Sequence, residues 1–235
     1  MESELEALLP DLPVVRMDAD TTKGKGGHER ALAQFEALES GVLLGTQMIA
    51  KGLDYPEVTL VGVINADTTL HLPDFRAGER TYQLLEQVAG RAGRGEHQGR
   101  VIVQTYWPDH PAIQAAALHQ PRVFYEEEEN ARAALGYPPF GRLANILFWS
   151  DDKAAVAAAA RKWAKELESA RPDSWTILGP SPAPISRIKG VWRWHLLVKG
   201  PPGAPLAEVL TAVERGLPTS RTVSRAIDID PVDLL

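Results

Sequence analysis

The sequence predicts two consecutive α/β units, the first built on a parallel sheet and the second on strands and helices in the order β-α-β-β-α-β. In the first unit, short apolar runs alternate with helical patterns, which is typical of a parallel, doubly wound sheet. In the second, two helical patterns separate four strand patterns. The chain has 235 residues, of which 44% are hydrophobic, so it is long enough for one large or two ordinary domains.

The elements of the first unit follow from the spacing of its apolar residues. A short N-terminal helix capped by Ser3 precedes the first strand. The nearly continuous apolar run VTLVGVIN (58–65) predicts a strand that is covered on both faces. Gly41 ends the helix before the second strand. We predict longer helices over 28–40 and 80–91 and strands over 14–20, 42–46, 58–65 and 99–107.

The pattern changes at Pro108, where two helices (111–119 and 124–135) lead to the turn GYPPF. We predict strands over 143–150, 176–180, 191–199 and 225–230 and helices over 153–169 and 206–215. Their order is the split βαβ pattern of ferredoxin-like folds. The proline-rich stretch 178–184 is interpreted as a rigid connector. We therefore expect a first lobe over 1–107, a helical connector over 108–141 and a ferredoxin-like domain over 142–235.

Composition excludes several classes of protein. The formal net charge is −6, so contacts with nucleic acid must come from local basic patches. Without cysteine, the chain has no disulfides and no thiolate zinc site, and its six histidines lack the spacing of metal ligands. The sequence shows no signal peptide and no apolar run long enough to span a membrane. We expect a soluble, cytoplasmic protein without a metal site of its own.

The string QVAGRAGR (87–94) carries the strongest functional signal. Arg91 and Arg94 are three residues apart, so at a helix end both guanidiniums point the same way. Two such groups aimed at one point suit a transferring phosphoryl group, whose transition state an arginine stabilises by roughly 10³–10⁵ in rate. That factor corresponds to about 4–7 kcal/mol. The alternative is a glycine-punctuated helix end with solvated arginines.

A second signal is the string GTQMIAKGLD (45–54), which follows a short apolar run. Thr46 is placed to contact a nucleic-acid phosphate, and Gly52 and Asp54 form a turn that can reach a nucleotide. The alternative is an ordinary polar connection after a strand. Lys51 is either a phosphate contact or a solvated surface residue. The basic loop TTKGKGG (21–27) is more typical of flexible surface than of a phosphate site.

The strand VWRWHLLVK alternates its side chains, so Trp192 and Trp194 share one face and Arg193 lies on the other. One interpretation is that bases stack on the indoles while Arg187 and Lys189 follow the phosphates. The other places both tryptophans in the core beneath the helices and leaves Arg193 as the exposed contact. The sequence does not decide between them.

In these strings, the chain resembles the C-terminal part of the primosomal replication-restart DNA helicases, the PriA family of superfamily 2. The matching strings cover nearly the whole length: DADTT, LLGTQMIAKGLDYPEVTLVGVINAD, DFRAGERTYQLLEQVAGRAGR, GYPPF, LGPSPAPI, VWRWHLLV and DIDP. The motor motifs alone specify only a superfamily. The GTQM and DFR strings followed by WRW and DIDP narrow the resemblance to this family.

The resemblance implies a RecA-like second motor lobe in a 3′-to-5′ DNA helicase, which unwinds stalled forks and helps to assemble the primosome. It implies that Arg91 and Arg94 contact the γ-phosphate, supported by Gln87. Gly52 and Asp54 would belong to the nucleotide site and Thr46 to the DNA contact. The implied partners are forked and single-stranded DNA, the single-stranded-DNA-binding protein and primosome proteins, in the bacterial cytoplasm at the nucleoid.

The chain also departs from the family pattern. It contains no G-x-x-x-x-G-K-[ST] loop, so ATP and Mg²⁺ would be held mainly by the missing first lobe. Zinc is expected only in the family's cysteine-rich module, which is also missing, as is the opening strand of the second lobe. We therefore expect part of an ATP hydrolase that is inactive alone. The rival interpretations are a non-catalytic DNA- or partner-binding protein that retains the helicase scaffold, and a degraded gene product without an independent role.

Overall fold

A computed structural model describes residues 1–18, 21, 26–46, 57–90, 99–218 and 220–234. The chain forms two compact units, which are residues 1–65 with 83–105, and residues 66–82 with 106–235. The segment 66–82, which contains the whole DFRAGER string (74–80), thus belongs to the same unit as the C-terminal half of the chain.

The first unit contains two parallel pairs of strands. Its elements are α1 (Glu2–Leu8), β1 (Val14–Met17), α2 (Gly27–Glu36), β2 (Val42–Gly45), β3 (Leu60–Val63) and β4 (Arg100–Val103). β1 pairs with β2, and β3 pairs with β4, both in parallel. Parallel pairing of β1 with β2 needs a crossover, which α2 provides between them. The predicted parallel arrangement is therefore present in the described residues.

One expectation for the first unit is wrong. The apolar run at β3 predicted a strand covered on both faces, but β3 and β4 alternate exposed with half-buried residues. Leu60, Ile64 and Ile102 expose 58%, 57% and 54% of their surface. Among the described residues, no element covers that face, so the run of apolar residues does not correspond to two-sided burial here.

In the described part of the chain, four further helices lie between β3 and the second sheet: α3 (Asp67–Leu70), α4 (Ala77–Ala89), α5 (Pro111–Leu118) and α6 (Pro121–Leu135). α5 and α6 each carry proline in the first turn, where the missing N–H has no helical acceptor to lose. Gly136 ends α6 in the left-handed conformation, at φ 64°. α4 begins in the segment 66–82 and continues unbroken to Ala89.

The second unit contains a four-stranded antiparallel sheet in the order β6-β7-β5-β8. Its elements are β5 (Arg142–Ser150), α7 (Lys153–Ala170), β6 (Thr176–Ile188), β7 (Val191–Gly200), α8 (Leu206–Gly216) and β8 (Ser224–Ile229). One face of the sheet packs against both helices. This core includes Ile146, Phe148, Leu196 and Val198 from the strands, Val156, Trp163 and Leu167 from α7, and Leu206, Leu210 and Val213 from α8.

The interpretation of residues 178–184 as a connector is wrong, because the stretch lies within β6. β6 is an outer strand of the sheet, where proline is tolerated since its missing N–H need not reach a second neighbour. The prolines nevertheless disturb the pairing with β7. The register shifts between Leu178 and Ser181 and again between Pro182 and Arg187.

Candidate functional site

The carboxyl ends of β1 and β2 form a polar edge in the first unit. Asp18 follows β1, and its carboxylate accepts a hydrogen bond from the amide of Thr21 at 2.9 Å. The Thr21 hydroxyl in turn accepts from the amide of Asp18 at 3.0 Å. Thr46 follows β2 directly and is exposed. Ligands of parallel sheets bind outside the carboxyl ends of the strands, so Thr46 occupies a position suited to ligand contact.

Most of the predicted nucleotide site lies outside the described residues. This holds for Lys51, Gly52, Asp54, Arg91 and Arg94. Gln87 lies on the last turn of α4 and is half-buried. The geometry of α4 is therefore the described feature that bears most directly on the arginines that follow it.

The first turn of α4 is fixed by charged contacts within the second unit. The buried Asp74 carboxylate lies 3.2 Å from Nη1 of Arg80 and accepts a hydrogen bond from the amide of Leu234 at 3.3 Å. Arg80 also donates from Nη2 to the carbonyl of Val232 at 2.9 Å. The C-terminal residues thus contact the start of the helix whose other end carries Gln87.

A second set of contacts joins the same turn to α6. Arg132 donates to Glu79 at 2.5 Å and to Glu128 at 2.9 Å, and its side chain is 14% exposed. Its Cζ lies 5.1 Å from the ring centroid of Phe75, which stacks on Tyr137 at 4.7 Å. The carboxylates of Asp67, Asp74 and Glu79 thus have hydrogen-bond partners within this unit.

Trp192 and Trp194 lie on the sheet face that packs against the helices. Both are half-buried and contact the hydrophobic core. Three cations approach their rings. Nζ of Lys153 and Cζ of Arg187 each lie 4.8 Å from the centroid of Trp192, and Cζ of Arg161 lies 5.7 Å from that of Trp194. Distances below about 6 Å are those of cation–π interactions.

The three predicted DNA contacts in this unit do not share one surface. Arg187 lies with Trp192, whereas Arg193 is directed to the opposite face and its Nη1 donates to the carbonyl of Ile185 at 3.4 Å. Lys189 is exposed in the turn between β6 and β7, at φ 49°. The sequence interpretation did not include Lys153 and Arg161, although their spacing on one helix was visible in the sequence.

The opposite face of the sheet contains polar atoms without hydrogen-bond partners among the described residues, namely Oδ1 of Asn145 and Nδ1 of His195. Burial lowers the pKa of His195 below its ordinary value, and the positive charge of Arg193 lowers this pKa further. Within the described residues, no three His, Asp or Glu side chains form a cluster suited to a metal ion.

Comparison with known protein families gives two matches, in separate parts of the chain. Residues 1–96 match the family described as "Helicase conserved C-terminal domain". Residues 133–232 match the family described as "Primosomal protein N C-terminal domain". Fold and family matches together define the class, which is a lobe of a helicase followed by the C-terminal domain of a primosomal protein.

Relatives among curated proteins agree with both matches. Replication restart protein PriA of Bacillus subtilis (strain 168) is 49% identical over 199 residues, covering 85% of this chain and 25% of that protein. PriA of Synechocystis sp. is 43% identical over 96% of this chain and 27% of that protein. PriA of Haemophilus influenzae is 37% identical over 100% of this chain and 32% of that protein. The chain belongs to the PriA family of replication restart proteins, and it spans about a quarter to a third of the length of these relatives.

Proposed function

We propose that the chain serves as the C-terminal portion of an ATP-dependent 3′-to-5′ DNA helicase that acts in replication restart and primosome assembly at stalled forks. It supplies the arginine side of the ATP site and part of the DNA contact. The observation that carries the proposal is the continuity of α4. This helix starts in the charged contacts of Glu79 and Arg80 and ends at Ala89, immediately before Arg91 and Arg94.

In this proposal, Arg91 and Arg94 stabilise the charge of the transferring γ-phosphoryl group. Gly52, Asp54 and Gln87 contact the nucleotide, and Thr46 with Lys51 contacts DNA. The polar edge at Thr46 and the half-buried position of Gln87 fit these roles. ATP with Mg²⁺, held mainly by a first motor lobe, supplies the phosphoryl group. Zinc belongs to a cysteine-rich module outside this sequence.

We also propose that residues 142–235 form a ferredoxin-like domain that binds DNA through Arg187, Lys189 and Arg193. The sheet order β6-β7-β5-β8 and the packing of α7 and α8 into one core support this assignment. The proposed protein partners are the single-stranded-DNA-binding protein and primosome proteins, at the cytoplasmic nucleoid. The acidic tail of the single-stranded-DNA-binding protein would find little positive charge at the start of α8. The first turn of this helix carries Glu208, and its basic residue, Arg215, lies in the last turn.

The experiment that tests the proposal supplies the missing part in trans. Arginines stabilise charge but do not hold Mg²⁺-ATP by themselves, so the isolated chain is expected to show no ATP hydrolysis. Mixing it with the N-terminal remainder of Bacillus subtilis PriA is expected to give DNA-stimulated hydrolysis that Arg91→Ala abolishes. Arg122→Ala, on an exposed face of α6, is the matched control.

Two results would contradict parts of the proposal. Substantial Arg91-dependent hydrolysis by the chain alone would refute the need for a first lobe. DNA binding without any restored hydrolysis would support the rival function of a non-catalytic binding protein that retains the helicase scaffold.

A further inference from the structure

Lys153 and Arg161 line an open groove between α7 and β7, and Arg187 contacts the ring of Trp192, which Lys153 also approaches. The groove measures about 380 Å³ and is bounded by Lys153, Ala154, Ala157, Arg161 and Trp194. Its floor consists of two alanines, so a ligand can approach the helix closely. Lys153 and Arg161 stand at its two ends, eight residues apart on α7.

The positive charge of this groove is not neutralised within the described residues. Neither Lys153, Arg161 nor Arg187 forms a salt bridge with any described carboxylate. The nearest acidic side chain in sequence, Asp152, caps α7 by accepting hydrogen bonds from the amides of Ala154 and Ala155 at 2.8 and 3.0 Å. In a chain of net charge −6, two groove cations without a carboxylate partner, with Arg187 on the same ring as Lys153, favour an anionic occupant.

We infer that this groove binds the phosphodiester backbone of DNA, and that the tryptophans hold the cations in place rather than stacking on bases. The inference rests on the DNA-binding role proposed above and moves it from Lys189 and Arg193 to Lys153 and Arg161, with Arg187 common to both assignments. Lys153, Arg161 and Arg187 lie over the indoles of Trp192 and Trp194 at cation–π distances, so these ring faces already have partners.

The spacing of the cations suits a repeating phosphate ligand. Eight residues of α-helix rise by about 12 Å, over which one strand of duplex DNA presents three to four phosphates. An acidic peptide held by a cluster of cations is the alternative occupant, and its affinity would gain further from side-chain pockets or strand pairing. The floor formed by Ala154 and Ala157 offers neither, whereas a phosphate backbone needs only the charged ends of the groove.

The test compares two fluorescent single strands of equal length, one ordinary and one with abasic sites in place of its central bases. Backbone binding predicts equal affinity for both strands. The double variant Lys153→Ala with Arg161→Ala is expected to weaken binding of both strands at least about tenfold, which corresponds to about 1.4 kcal/mol. The slope of log affinity against log salt should fall by about 1.4, or about 0.7 per lost phosphate contact.

The controls separate this inference from the function it rests on. Lys165→Ala removes an exposed lysine from the same helix outside the groove and is expected to leave binding unchanged. In one contrary result, the wild type and the variant Lys153→Ala with Arg161→Ala bind DNA equally, while the variant Lys189→Ala with Arg193→Ala loses binding. That result would overturn the assignment to the groove but keep the proposed DNA-binding role. Absence of DNA binding by the wild-type chain at low salt would overturn both.

Two further outcomes bear on the occupant and on the tryptophans. Much weaker binding of the abasic strand would show base stacking and overturn the inference. A polyglutamate peptide that binds the groove more tightly than the abasic strand would make a protein the occupant and also overturn it. Trp194→Phe is expected to preserve affinity, whereas Trp194→Leu should weaken it because Arg161 loses its aromatic support.

Discussion

Arg132 is the residue at which the charged contacts of α6 converge. It binds Glu79 from α4 and Glu128 from its own helix while lying above the ring of Phe75. The two carboxylates are 28% and 19% exposed, so water replaces a lost guanidinium only in part. Removing one partner of such a group leaves like charges close together without compensation.

Arg132→Ala is therefore expected to lower the free energy of unfolding by about 1–3 kcal/mol, measured by urea denaturation. Arg122→Ala is the matched control, because Arg122 pairs with Glu126 at the same helical spacing but is 89% exposed. Its loss should cost less than about 0.5 kcal/mol. Equal losses for the two variants would contradict a structural role for the buried contacts of Arg132.

His195 makes the stability of the second unit depend on pH in a defined direction. Its folded-state pKa is lowered from the ordinary value of 6.5, first by burial and then by Arg193. Below that value the unfolded chain binds a proton that the folded protein resists, so acidification favours unfolding. The stability contributed by neutral His195 is present above pH 6.5 and is lost as the pH falls through the lowered folded-state pKa.

His195→Gln should consequently show a weaker decline of unfolding free energy between neutral and mildly acidic pH than the wild-type chain. The measurement is a series of urea denaturation curves across that range. The quantity compared is the slope of the unfolding free energy against pH, because the substitution also changes packing and so shifts the absolute value. Parallel curves for wild type and His195→Gln would exclude this source of pH dependence.

At the level of elements, local signals predicted those boundaries that depend on local chemistry. Gly136 marks the end of α6 and the apolar periodicity marks α7, whereas the start of α6 was predicted at residue 124, three residues after Pro121 in its first turn. β6 was missed beyond Pro180 because the prolines signal a connector, whereas pairing with β7 along the sheet edge is a tertiary interaction. The burial of β3 was overestimated for the same reason, since a run of apolar residues does not identify what covers it.

The turn between α6 and β5 depends on a close approach of backbones at Gly141. A Cβ at this position would lie 2.5 Å from the carbonyl oxygen of Gly136 and 2.9 Å from that of Gly200. Since both contacts are with backbone atoms, the chain itself must move to accommodate a methyl group.

Gly141→Ala is expected to reduce the free energy of unfolding by about 1–3 kcal/mol in thermal or urea denaturation. Gly216→Ala is the control, because nothing lies within 4 Å of a Cβ built at the end of α8. It should have little effect. If Gly141→Ala proves as harmless as the control, the connection is less tightly packed than the structure indicates.

For the whole molecule, sequence patterns identified the family and the alternation of β7, but not the contacts that join distant segments. Asp74 contacts the amide of Leu234, 160 residues further along the chain, and no local pattern signals that pairing. The packing of Lys153 and Arg161 over the tryptophans also depends on how α7 crosses the sheet. The strings assigned to the proposed nucleotide site come from the family resemblance, and most of their residues lie outside the described part of the chain.

The charge of the chain places a further condition on its function. At a net charge of −6, the chain as a whole does not attract DNA, so binding must depend on local groups such as those around Trp192. Among the described residues, no helix is long and apolar enough to cross a membrane.

The most direct test of the proposed function is nucleotide-dependent association between this chain and the N-terminal remainder of Bacillus subtilis PriA. ADP with aluminium fluoride, which mimics the transferring phosphoryl group, is the probe, and sedimentation or fluorescence anisotropy measures binding. The proposal predicts association that strengthens with the analogue and weakens at least about tenfold in Arg91→Ala and in Arg94→Ala, as expected when an arginine contributes several kcal/mol across the cleft. Association that does not change when the analogue is added would contradict the proposal. So would association that is as strong in both variants as in the wild-type chain.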